Sequence, residues 1–81
     1  MILPTKHLLT ERSLIGIGGE ILSLLSESKT VSRLWDDFRQ ARIDSNRRIV
    51  GFDRFVLALD LLYLMQVIDL ERERLFRRGS P

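Results

Sequence analysis

Between Phe52 and Ile68 the chain reads FDRFVLALDLLYLMQVI, with Asp53, Arg54, Asp60 and Gln66 as its strongly polar residues. A helix that is apolar around most of its circumference does not suit a solvated surface; it belongs in a core or against another protein. In an 81-residue chain too little other sequence exists to wrap it completely. The expectation is a subunit whose Leu57, Leu61, Leu64 and Met65 form part of a protein interface.

Eighty-one residues correspond to one domain, near the lower end of what folds without disulfides or a metal. The chain has no cysteine and a single histidine, His7, so neither a thiolate or histidine metal cluster nor a histidine-based catalytic triad is expected. No cofactor is implied, and the chain reads as a non-enzyme. Its longest apolar run, Phe55 to Met65, is interrupted by Asp60 and is far shorter than the ~20 residues that span a bilayer. Met1 to Thr10 lacks the apolar core of a signal peptide, which points to the cytoplasm. Lysine plus arginine number 13 against 11 acidic residues, for a net charge of +2, and only Lys6 and Lys29 are lysine. That balance permits nucleic acid without demanding it. Arginine's planar fork favours pairing with carboxylate or phosphate at interfaces, although an arginine-rich solvated face accounts for the same composition.

Apolar residues from Leu14 to Leu25 predict a first helix over Glu11–Leu25, preceded by an arm over residues 1–10. Gly16, Gly18 and Gly19 each cost up to ~1 kcal/mol relative to alanine inside a helix. Either they divide the segment into an arm and a short helix, or one helix keeps a glycine face for close approach of a neighbour; the second reading is preferred. GIGGE lacks the spacing and the lysine of a phosphate-binding loop.

Ser26 to Thr30 is polar and turn-like, and Thr30 or Ser32 can cap a second helix ending near Arg42. Val31, Leu34, Trp35 and Phe38 fall at i, i+3, i+4 and i+7 and form its inward face, with Trp35 and Phe38 expected against Phe55 and Leu59. Ile43 to Gly51 reads as a loop with Arg47 and Arg48 at its crest. Asp53 is the expected cap of a third helix reaching about Gln66, whose outward side should carry Leu57, Ala58, Leu61, Leu64 and Met65. Val67–Leu70 and Arg74–Arg77 then read as a hairpin around Glu71–Glu73, with a frayed tail at 79–81. A single helix from Asp53 to Arg78 competes on propensity, since the turn holds neither glycine nor asparagine.

Helix, link, helix, loop, helix and hairpin is the order of a winged helix, so the fold expected is mainly α with a small β-hairpin. In DNA-binding members the third helix enters the major groove and needs arginine, lysine, asparagine or glutamine. This one offers leucines. Arg47, Arg48, Arg77 and Arg78 remain candidates for non-specific phosphate contact, with Arg72 and Arg74 less promising beside Glu71 and Glu73. Asp36 and Asp37 diverge by ~100° on a helix and do not converge on one substrate atom, which makes them surface charge. Glu20 and Asp60 are lone carboxylates in apolar segments; each must reach an arginine within the chain or await a partner, and the internal pair is preferred.

ERSLIGIGGEIL at Glu11–Leu22, TVSRLW at Thr30–Trp35 and FDRFVLALDLLYLMQVIDL at Phe52–Leu70, in this order and spacing, resemble middle component six of bacterial ABC-three-component systems. The chain departs from that family at Gln66, where a glycine closing helix three is expected. The resemblance implies an interaction subunit working beside an SMC-like ABC ATPase and a separate effector, in defence against phages or plasmids. Two further readings stand beside it: a free-standing winged-helix DNA-binding regulator, and a homodimer whose third helices cover each other.

Overall fold

Local rules set most of the element boundaries. The computed structural model describes residues 4–78, with α1 at Pro4–Leu24, β1 at Lys29–Thr30, α2 at Val31–Asp44, α3 at Phe52–Leu64, β2 at Ile68–Glu71 and β3 at Arg74–Arg77. The strands form an antiparallel sheet in the order β1-β3-β2. Helix, strand, helix, helix and a two-stranded wing make the fold winged-helix-like.

Helix α1 begins at Pro4 rather than Glu11, so residues 4–10 are helical and do not form the expected arm. Proline suits a first helical turn, where its missing N–H costs nothing, and no breaker separates it from Glu11. Residues 1–3 and the tail at 79–81 lie outside the described residues. The glycines do not interrupt α1. Only Gly18 has a packing reason: a Cβ there would stand 3.1 Å from Leu62 Cδ2, so its bare backbone lets the α3 side chain approach.

Thr30 caps α2, its hydroxyl accepting the Arg33 N–H at 3.2 Å. Asp53, by contrast, is not the cap of α3. Gly51 takes that position with extended backbone and no side-chain bond, leaving Asp53 inside the first turn, where its charge still favours the positive end of the helix dipole.

Both α2 and α3 end in Schellman turns. After α2, Asn46 adopts φ 55°, with Asn46 N–H donating to Ile43 O at 3.1 Å and Arg47 N–H to Arg42 O at 2.8 Å. After α3, Gln66 adopts φ 62°, with Gln66 N–H donating to Tyr63 O at 3.0 Å and Val67 N–H to Leu62 O at 3.1 Å. Asparagine tolerates the left-handed region; glutamine carries its full steric cost. The helix therefore closes without the glycine expected there, and the chain turns into β2 instead of continuing. Gln66→Gly should stabilise the protein by about 1 kcal/mol, raising Tm by roughly 4–8 °C. A Tm at or below wild type would show that the glutamine side chain recovers what the backbone loses.

The wing is the expected hairpin, with Leu70 opposite Leu75 and Glu71 opposite Arg74. Its two-residue turn, Arg72-Glu73, has φ 52° and 65°, the type I′ geometry that matches strand twist but usually takes asparagine and glycine. Strand β1 adds to the far side of β3, pairing Lys29 with Leu75 and Thr30 with Arg74. Lys29 Nζ then donates to Asp37 Oδ2 at 2.7 Å, and Arg33 Nε stands 3.3 Å from Asp37 Oδ1. Lys29 first, aided by Arg33, holds the Asp37 carboxyl below its ordinary value of 3.8.

The core unites Ile17, Ile21 and Leu25 of the first segment with Leu34 and Phe38 of α2, Phe55, Ala58, Leu59 and Leu62 of α3, and Ile68 and Leu75 of the wing. Phe38 and Phe55 are fully buried with centroids 5.2 Å apart. Trp35 is only half-buried, lying 4.9 Å from Phe55 and 5.1 Å from Phe52 in an edge-on pair, with the Arg39 guanidinium 5.2 Å over its ring.

Candidate functional site

Phe55, Ala58, Leu59 and Leu62 commit one side of α3 to the core. Leu57, Leu61 and Leu64, at i, i+4 and i+7, therefore fall on the other side, with Met65 at the helix end. Leu57 is 52%, Leu64 78% and Met65 58% exposed, while Leu61 is half-buried. Ala58 does not join them; it is completely buried, one turn from both Phe55 and Leu62.

Asp53 and Asp60 are exposed on the same outward side. Asp60 forms no ion pair among the described residues and needs none, because it remains in water. The surface where a DNA-reading helix presents donors to base edges and phosphates thus presents leucines and carboxylates. Beside it, Val31, Val56, Asp60, Tyr63 and Leu70 help line an apolar groove of about 350 Å³ between α2, α3 and the wing.

The sheet edge is less available for docking. Leu70 N–H is taken up by Asp69 Oδ1 at 2.8 Å, and Arg78 Nε lies 3.6 Å from Asp69 Oδ2. Self-satisfied groups and charge on β2 discourage strand addition.

A second surface lies between α1 and the α2–α3 loop. Glu20 reaches an arginine within the chain: Arg42 Nη2 donates to its Oε2 at 2.6 Å, and Arg47 Nη1 to its Oε1 at 2.8 Å. Arg42 Nη1 also donates to Arg48 O at 2.6 Å. The Schellman turn after α2 makes this convergence feasible, because it folds Arg47 back over the turn containing Arg42. Arg47 and Arg48 share the cleft with Arg42 and Arg54, both absent from the expected phosphate set. Arg42 belongs to the charged face of α2, and nothing local in the sequence distinguishes it from its neighbours there. Arg77 lines a separate recess with Leu25, Ser26, Glu27, Ser28 and Phe76, while Arg78 pairs with Asp69. Arg74 is held by Ser28 through Nε to Oγ at 3.2 Å and Nη2 to O at 3.0 Å. The expected phosphate contacts are thus divided between distinct surfaces, with Arg47 already engaged by Glu20.

Among the described residues there is no group of three or more side chains suited to hold a metal ion, and no helix is long and apolar enough to cross a membrane. No curated protein and no solved structure matches the chain at a significant level. The sequence pattern of ABC-three component (ABC-3C) system Middle Component 6 matches residues 3–78, nearly the whole chain, and the protein belongs to that family.

Proposed function

We propose that this protein is a non-enzymatic interaction subunit of a cytoplasmic defence complex, docking on an SMC-like ABC ATPase and linking it to an effector that acts against phages or plasmids. The observation that carries this reading is the outward side of α3, where Leu57, Leu64 and Met65 are each more than half exposed. Apolar side chains displayed together on a rigid helix favour association with another protein. Membership of a middle-component family supplies the context, since the system is built from several proteins. Asp53 and Asp60 beside the leucines call for an apolar partner surface rimmed with lysine or arginine. A free-standing DNA-binding regulator is the weaker reading, because those same carboxylates would face the phosphates.

The test is co-expression of the tagged protein with the SMC-like ABC ATPase of an ABC-three-component system. Wild type should co-purify with the ATPase, and Leu57→Asp/Leu64→Asp should not. Both side chains are exposed, so the double variant should keep its helical circular dichroism and lose no more than about 1 kcal/mol of stability. Undiminished co-purification of a folded double variant would remove α3 from the interface. A wild-type dimer dispersed by the same substitutions would assign the face to self-association, and tight binding of one DNA sequence at physiological salt would favour the regulator.

A further inference from the structure

We propose that the cleft between α1 and the α2–α3 loop is a binding site for a phosphate group, with Arg48 and Arg54 as its cationic contacts. The cleft encloses about 640 Å³, within the ~300–1,000 Å³ typical of small-molecule sites. Four arginines line it, Arg42, Arg47, Arg48 and Arg54, against two carboxylates, Glu20 and Asp53. Glu20 is consumed by Arg42 and Arg47. Among residues 13–78, neither Arg48 nor Arg54 has a carboxylate within ion-pairing distance; Arg54 Nη1 donates to the Ser13 hydroxyl at 3.1 Å. Two guanidinium groups thus stand without a direct ion pair in a concave site whose four arginines outnumber its two carboxylates, Asp53 included, and such a site focuses field lines and concentrates anions.

The arrangement distinguishes the class of anion. Glu20 shows that a carboxylate is satisfied by two arginines, one to each oxygen. A phosphate presents three or four oxygens and suits two further forks that approach from different segments, the loop and α3. Glu20 has a positioning role here: by holding Arg42, whose Nη1 binds Arg48 O, it fixes the backbone from which Arg48 projects. The cleft is wide enough for the rest of a nucleotide, and it is also open to a phosphodiester of a nucleic-acid strand. The chemistry is the same in both cases, and the site goes beyond the α3 docking reading, meeting that face only at Asp53.

Titration of the ¹⁵N-labelled protein with pyrophosphate, ADP and a short DNA duplex, followed by amide chemical shifts, tests the assignment. Pyrophosphate should move the Gly16, Arg48, Gly51 and Arg54 resonances saturably, with a Kd on the order of 1 mM or tighter at low salt. Arg48→Ala and Arg54→Ala should each weaken binding about tenfold with Tm unchanged, while Arg77→Ala should have no effect. ADP binding at least as tightly as pyrophosphate identifies a free nucleotide as the source; saturation of the same resonances by duplex alone identifies backbone phosphate. The assignment is overturned if no probe saturates these resonances, if the two variants bind as wild type, or if the shifts spread equally over the wing arginines.

Discussion

Phe55→Ala should unfold the isolated protein or bring it to the edge of unfolding. The ring is completely buried, 5.2 Å from Phe38 and 4.9 Å from Trp35, and it joins α2 to α3 at the centre of the domain. Removing a buried phenylalanine costs about 3–5 kcal/mol in lost transfer energy and cavity formation. A domain of this size holds about 4–12 kcal/mol in total. Trp35→Ala should cost less, about 2 kcal/mol, because half-burial leaves part of the ring in water both before and after folding. Urea denaturation of the two variants checks the order. Equal or inverted costs would mean that Trp35, not Phe55, is the keystone of the aromatic cluster; a loss below about 1 kcal/mol for Phe55→Ala would contradict the packing itself.

Glu20→Ala should cost about 2–3 kcal/mol. This is less than the ~3–5 kcal/mol for breaking a fully buried pair, because Arg47 remains 57% exposed and can recover water. Arg42 cannot, with only 14% of its side chain accessible, so removal of the carboxylate strands a mostly buried cation against Phe38. Glu20→Gln retains one acceptor and should lose roughly half as much. Arg47→Ala should lose no more than about 1 kcal/mol. Thermal unfolding of the three variants at low and high salt measures the ranking: the Arg47 contribution should be screened by salt, and most of the Arg42 contribution should survive it. If Glu20→Ala costs no more than Arg47→Ala, the three residues form an ordinary surface pair and do not clamp α1 to the α2–α3 loop.

Much of the architecture was legible because it obeys rules spanning a few residues. Thr30 caps α2 through a hydroxyl only three residues from the N–H it accepts. Val67 to Arg77 reads as a hairpin from β-branching and alternation, and it forms despite a turn of Arg72 and Glu73 in left-handed conformations. Glu20 was recognisable as a carboxylate in need of an arginine, yet the sequence did not say which one. Arg42 lies 22 residues away and Arg47 27, and no local pattern encodes a contact across that distance. Strand β1 escaped notice for the same reason: two residues carry no periodicity, and Lys29 and Thr30 become a strand only because Leu75 and Arg74 lie alongside.

The amino-acid sequence by itself determined that α3 would be apolar and helical and that aromatic residues of α2 would pack against it; it favoured a wing over a continued helix, and the tertiary structure decided between them. It could not determine how α3 is rotated. Every residue of that helix except Asp53, Arg54 and Asp60 is apolar, so its periodicity has almost no phase. That is why Ala58 was placed on the outward side although it is fully buried. The rotation is chosen by contacts remote in sequence, with Phe55 against Phe38 on α2 and Leu62 against the bare backbone of Gly18 on α1. Those two contacts turn Leu57 and Leu64 outward, because a rigid helix with one side packed has no freedom left for the other.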